Sequence, residues 1–312
     1  MNISDRILVT GGTGLVGKAL ESYLGDNTLM LSSKMCDLRD FEQTMKLFND
    51  FKPNYVFHLA AKVGGVVANT RYVGDFYREN SMINTNVLEA SRLVGANKVL
   101  SLLSTCIYPD KCPYPLREED IHAGEPHASN FAYAYAKRML DVQSRAYRQQ
   151  YGCNYITVVP NNLFGKHDNY DLENSHVIPA MIRKFHEANM NGHDVIMWGS
   201  GAPMREFTYS EDLAKILVFL MRDYDEPTPI NVGNTLELSI KDLAETLSEM
   251  MNFKGNIIWD LSKPDGQLRK PSNGDKLISL GWSQDMYTDH ETALRETCDW
   301  SVKNYKNLRG VK

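Results

Sequence analysis

The most constraining feature of this chain is the string Thr10-Gly11-Gly12-Thr13-Gly14-Leu15-Val16-Gly17. It lies directly after the apolar run Ile7 to Thr10 and opens a helix-period segment. Glycines at a strand-to-helix turn let the backbone approach a pyrophosphate at the positive end of the helix, which is the fingerprint of a dinucleotide cradle. A lone glycine-rich string is only a turn. Here it starts a chain in which β-branched runs alternate with helical segments, and that alternation predicts stacked βαβ units on a parallel sheet.

The predicted strands are Ile7 to Thr10, Leu29 to Ser32, Tyr55 to Ala60, Lys98 to Leu103 and Tyr155 to Val159. The helices between them are Gly17 to Leu24, Phe41 to Phe51 with Asp40 as N-cap, Asp75 to Val94, and Phe131 to Gln149. After Pro160 the pattern loosens into a polar loop, Asn161 to Ser175, followed by a helix from Val177 to about Asn189 and a short strand Val195 to Trp198. A helix Ser210 to Met221, a strand Ile230 to Val232, a capped helix from Ser239 to Met251 and a last helix Thr288 to Asn304 complete the chain. The expected fold is α/β, a Rossmann-type doubly wound parallel sheet with a smaller C-terminal α/β lobe. Residues 1–165, with a return of about 207–232, form the dinucleotide-binding domain, and 166–206 with 233–312 form the substrate lobe.

With 312 residues, 43% of them hydrophobic, the chain has enough material for an extensive core. A net charge of −5 argues against nucleic acid or an anionic membrane as partner. Met1 to Arg6 lead straight into the first apolar run without a signal-like stretch, and the apolar run Ile216 to Met221 is too short to span a bilayer. Five cysteines without CxxC spacing point away from disulfides and from a metal site, and toward the cytoplasm.

The end of the second strand selects the nicotinamide cofactor, because an acid there chelates a ribose diol and a base tolerates a 2′-phosphate. Ser33 and Lys34 favour NADP(H). Asp37 stands at about the distance expected of an NAD-chelating acid, but with Leu38 it reads better as an adenine-side contact. Further on, Ser104 and Cys106 follow the fourth strand, at the carboxyl edge where open α/β sheets bind ligands. Tyr133 and Lys137, four apart on a helix, share one face. An ammonium beside a phenol favours phenolate and brings the tyrosine toward neutral-pH proton transfer. YxxxK alone arises by chance; the glycine cradle and strand-end serine in the right order make it a site.

These residues, with His58-Leu59-Ala60-Ala61, resemble the extended short-chain dehydrogenase/reductases. The runs Lys62-Val63-Gly64-Gly65, Ser104-Thr105-Cys106-Ile107-Tyr108-Pro109, Asn162-Leu163-Phe164-Gly165, His167-Asp168-Asn169, Ser175-His176-Val177-Ile178-Pro179 and Met204-Arg205-Glu206-Phe207 are similar to the branch of that family that forms GDP-L-fucose. The resemblance implies epimerisation of GDP-4-keto-6-deoxy-D-mannose at carbons 3 and 5, then NADPH-dependent reduction at carbon 4. It assigns Cys106 and His176 to the inversions, Ser104, Tyr133 and Lys137 to the ketone, and Lys184, Trp198, Arg205 and Lys270 to the GDP-sugar. Lys184 stands where an arginine is common, and Lys166 where a proline is. The cofactor would touch Gly11 to Gly17, Leu59, Ala60, Ala61, Pro160, Asn162, Leu163 and His176 as well. A homodimer through the helices Asp75 to Val94 and Phe131 to Gln149 is implied too.

Blander readings stand beside these. Trp198 is equally a core residue, and Cys36, Cys112, Cys153 and Cys298 are assigned to packing. A 4,6-dehydratase would want a carboxylate near Thr105 or Cys106, and none is present. A simple 4-epimerase has no need of Cys106 and His176 together. A non-catalytic NADP-sensing scaffold is disfavoured by the intact Tyr133 and Lys137.

Overall fold

The structure, a computed structural model, describes residues 4–263, 265 and 267–311. Met1 to Ile3, part of the N-terminal stretch read above, lie outside the described residues. Six parallel strands form the main sheet in the order β2-β1-β3-β4-β5-β9: β1 (Ile7–Thr10), β2 (Thr28–Leu31), β3 (Tyr55–His58), β4 (Lys98–Leu102), β5 (Tyr155–Pro160) and β9 (Ile230–Val232). Every residue of β1, β4, β5 and β9 is buried, and their sequences are mainly apolar, as strands covered on both faces require.

Helices α1 (Leu15–Glu21), α2 (Phe41–Phe51), α3 (Val66–Arg71), α4 (Val73–Leu93) and α5 (Phe131–Tyr151) connect the strands of the first half. Asp40 caps α2 by accepting from the Gln43 amide, and Lys52, in the left-handed region ahead of Pro53, ends it. One core, containing Val9, Leu100, Val158, Leu213 and Leu217, fills one side of the sheet; another, containing Leu8, Val56, Val99, Leu88 and Leu140, fills the opposite side.

The second half holds two small sheets. In one, β8 (Met204–Tyr209) pairs parallel with β6 (Asn162–Phe164) and antiparallel with β10 (Glu237–Ser239); in the other, β7 (Val195–Trp198) pairs parallel with β11 (Ile257–Asp260). Around them lie α6 (Val177–Asn191), α8 (Ile240–Met250) and α10 (His290–Lys303), while α7 (Ser210–Asp223) and α9 (Asp275–Ser279) pack against the main sheet. The Ser239 hydroxyl accepts from the Asp242 amide at the start of α8, as the capping pattern predicts. The loop predicted from Asn161 contains a short strand, β6, whose residues Asn162, Leu163 and Phe164 pair with β8. No described helix is long and apolar enough to cross a membrane.

Candidate active site

The glycine string forms a close-packed corner. A methyl group on Gly12 would lie 2.7 Å from the backbone of Met30, and one on Gly17 would lie 2.6 Å from the Gly11 carbonyl oxygen and the Gly12 Cα. Neither position has space for a side chain. Gly14 is the N-cap of α1 with no side-chain cap, leaving its first amides for a ligand. Below this corner, the Thr10 hydroxyl accepts from the amides of Leu59 and Ala60 and donates to His58 Nδ1 at 2.9 Å. His58 Nε2 then donates to Asn84 Oδ1, and Asn84 Nδ2 to the Ala136 carbonyl. His58 is buried and neutral, its pKa pushed down to about 3 by burial and then by the Lys137 charge. This network ties β1, β3, α4 and α5 together beneath the cradle.

Beyond β2, Ser33 and Lys34 are exposed, and Lys34 makes no ion pair among the described residues. The Asp37 carboxylate is bound in a fork by Arg39, which holds its pKa down, and Arg39 also reaches Glu79. A free cation beside a neutralised carboxylate fits a 2′-phosphate better than a bare ribose diol. Leu38 is buried against the sheet, and Pro160, Asn162 and Leu163 lie where β5 passes into β6.

At the carboxyl end of β4, Ser104 caps a short 3-10 turn, Thr105–Ile107, and its hydroxyl accepts from the Cys106 amide. Tyr133 and Lys137 share a face of α5, with Lys137 Nζ 6.0 Å from the Tyr133 ring centroid. The ammonium, however, donates to the Leu102 carbonyl at 2.7 Å. The tyrosine pKa is therefore raised, by burial and then by Cys106, where the spacing had suggested that lysine would lower it. Burial brings Lys137 down to about 8. Cys106 is pushed up by burial, opposed by Lys270, the Ser104 hydroxyl and Lys137. Both charged neighbours acting on Cys106 are cations.

Arg205, on β8, donates to the carbonyls of Met204 and Gln267 and has no carboxylate partner among the described residues. Lys270 feels both Arg205 and Cys106, which joins these cations to the Cys106 pocket. Trp198 is 58% exposed on β7, with Lys184 and Lys263 ammoniums within 6.0 Å of its ring, so it is not a core residue. His176, the N-cap of α6, pairs instead with Asp168 at 3.8 Å. All five cysteines are free, with Cys36 and Cys298 buried.

Three contributors were not legible as such. Arg138, buried next to Lys137, donates from Nε to the Ile107 carbonyl at 2.6 Å and from Nη1 to Gly124, pinning the turn that carries Cys106. Glu206, alternating with Arg205 along β8, is buried and accepts from the Ser272 amide and hydroxyl and from Asn161. It anchors the segment that carries Lys270. Asp168 stood in a recognised run but without a role.

A parallel sheet with a glycine cradle on its first strand and a tyrosine-lysine pair at its carboxyl edge defines a dinucleotide-dependent enzyme, and the chain belongs to the NAD dependent epimerase/dehydratase family, whose model matches residues 7–233. Within it, the chain's relatives include GDP-L-fucose synthases. The chain is 46% identical to GDP-L-fucose synthase of Dictyostelium discoideum over 97% of both chains, and 42% identical to a probable GDP-L-fucose synthase of Drosophila melanogaster over 97% of this chain and 99% of that one. The crystal structure of a GDP-L-fucose synthetase from Naegleria fowleri bound to NADP superposes with a TM-score of 0.94 at 41% identity, covering 99% of this chain and 96% of the other.

Proposed function

We propose that this chain converts GDP-4-keto-6-deoxy-D-mannose to GDP-L-fucose, inverting carbons 3 and 5 and then reducing the carbon 4 ketone with NADPH. The observation that carries the reading is Cys106, two residues past the strand-end Ser104, acting on Tyr133 and Lys137 with cations as its charged neighbours. A simple reductase has no use for a thiol there.

Protons beside a ketone are acidic, and inversion needs one group to take a proton and another to return one to the opposite face. Cys106 and His176 take these roles. Burial alone would keep Cys106 a thiol; Lys270 and Lys137 favour the thiolate. Ser104 and Tyr133 hydrogen-bond the ketone oxygen, stabilising the enolate. The raised pKa of Tyr133 keeps its O–H as a donor through both inversions, and the same proton is then delivered to the carbon 4 oxygen. Lys137, with its pKa near neutrality, stands ready to replace it. NADPH, when bound, supplies the hydride.

The cofactor is held by Gly11, Gly12, Thr13, Gly14, Leu15, Val16 and Gly17, by Ser33 and Lys34 at the 2′-phosphate, by Asp37 and Leu38 near adenine, and by Leu59, Ala60, Ala61, Pro160, Asn162, Leu163 and His176. Lys184, Arg205 and Lys270 take the diphosphate, and the exposed Trp198 face takes a ring of the GDP-sugar. In this reading residues 1–165 with 207–232 serve the cofactor, and 166–206 with 233–312 serve the sugar nucleotide. Exposed Tyr77 and Met82 on α4 and Phe131, Met139 and Val142 on α5 support a homodimer through these helices. The free cysteines support a reducing, cytoplasmic setting.

The test is incubation with GDP-4-keto-6-deoxy-D-mannose in heavy water. Deuterium enters carbons 3 and 5 without NADPH, and GDP-L-fucose forms with it. Normal exchange by Cys106→Ser would sink the assignment.

A further inference from the structure

Asp168 takes no part in the reaction just described, yet its setting is unusual. The side chain is buried, with the residue only 6% exposed. Oδ1 accepts from the Asn169 amide at 2.7 Å, while Oδ2 is buried and has no hydrogen-bond partner among the described residues. A buried carboxylate with unused acceptor capacity is costly unless a charge stands close by. The ion partner the structure supplies is His176, whose Nδ1 lies 3.8 Å from Oδ1.

His176 caps the N-terminus of α6, where the helix dipole disfavours an imidazolium. Its pKa is nevertheless raised, with Asp168 the leading cause against the opposing effect of burial. Other charges nearby are engaged elsewhere. On α6, Arg183 pairs with Glu187 and Lys184 donates to the Ile196 carbonyl. The loop at Gly65, which approaches the Ser175 carbonyl, has Lys62 as its neighbouring charge, and that lysine is paired with Glu79.

We infer that Asp168 is a positioning residue for His176: its carboxylate keeps the proton on Nδ1 and orients the ring, so that Nε2, protonated only in the imidazolium, faces the sugar. This rests on the reading of His176 as a proton donor. In the step it supports, the Nε2–H bond breaks as a C–H bond forms at the enolate carbon, and the enolate pair re-forms the ketone. The imidazolium is left neutral with Nδ1–H still on Asp168. The side chain of His176 is 53% exposed, which gives water access to restore the proton.

The test is nitrogen NMR of labelled histidine on ligand-free protein, with His176→Gln giving the assignment. In the parent, neutral His176 shows the Nδ1–H tautomer; a dominant Nε2–H tautomer overturns the proposal, whatever the variants do. Asp168→Asn lowers the His176 midpoint and makes deuterium exchange about tenfold slower at pH 8, with recovery toward parent rates as pH falls. Asp168→Glu restores part of the shift. A merely structural aspartate would slow exchange equally at every pH and leave the midpoint in place, which also overturns it. If the parent itself exchanges no deuterium while the midpoint still moves, the functional reading fails and the Asp168–His176 pairing stands.

Discussion

Gly17→Ala tests the cradle with a single methyl group. The new Cβ would stand 2.6 Å from the Gly11 carbonyl oxygen and from the Gly12 Cα, roughly 1 Å inside ordinary contact distance. Both neighbours are backbone, so no side chain can swing aside. Overpacking of this kind costs about 1–3 kcal/mol. Against it, alanine in a helix is better than glycine by about 1 kcal/mol, so the net change in folding stability is about 2 kcal/mol at most. Binding bears the larger burden. Displacing the Gly11–Gly12 backbone by that distance breaks one amide-to-phosphate hydrogen bond, worth about 1.5–3 kcal/mol when charge-assisted, which is roughly a 10- to 150-fold rise in Kd. The assay is fluorescence titration with NADPH, with GDP titrated in parallel and unfolding followed in urea. Gly25→Ala, where an added methyl meets nothing within 4 Å, keeps the parent Kd. A Gly17→Ala protein binding NADPH within about twofold of the parent would refute the claim that this close approach shapes the cofactor site.

Two further outcomes follow from buried polar groups. His58, with a pKa pushed from 6.5 to about 3, refuses in the folded state a proton that the unfolded chain accepts. Its contribution to stability is full above pH 6.5 and declines as pH falls, by about 2 kcal/mol at pH 5. Urea unfolding at pH 7 and pH 5 measures it, and His58→Gln, weaker at both, should show a shallower loss between them; an unchanged pH slope in that variant counts against it. Glu206→Ala strips the Ser272 amide, the Ser272 hydroxyl and Asn161 of their acceptor and costs about 3 kcal/mol, with weaker GDP binding because Lys270 loses its anchor. Ser272→Ala costs less, and the double variant falls short of the sum; strict additivity would contradict a shared network.

Much of the fold was legible because its signals are local. The N-cap Asp40 and the β-branched Ile230 and Val232 of β9 delimit their elements to the residue. β6, β8 and β10 were not legible: β6 and β10 have only three residues each, and β8 carries Arg205 and Glu206 among its apolar residues. Met204, Arg205 and Glu206 alternate between the ligand side and a buried anchor, a pattern that reads as a functional motif before it reads as a strand. At the site, spacing put Tyr133 and Lys137 on one face but could not reveal that the Leu102 carbonyl holds the ammonium. Arg138 was invisible for a related reason: a buried guanidinium that donates to backbone carbonyls leaves no sequence pattern.

The junctions between the main sheet and the smaller one have a mechanical meaning. β5 ends at Pro160 and β6 starts at Asn162, while β8 ends at Tyr209 and α7 starts at Ser210. At both of these places the chain passes from one sheet's neighbourhood to the other with almost no slack. Two such passages tie the smaller sheet directly to the main one. On the proposed reading, one thiol, one imidazole and one phenol on elements joined this closely would serve three carbons by letting the pyranose turn while its nucleotide stays gripped.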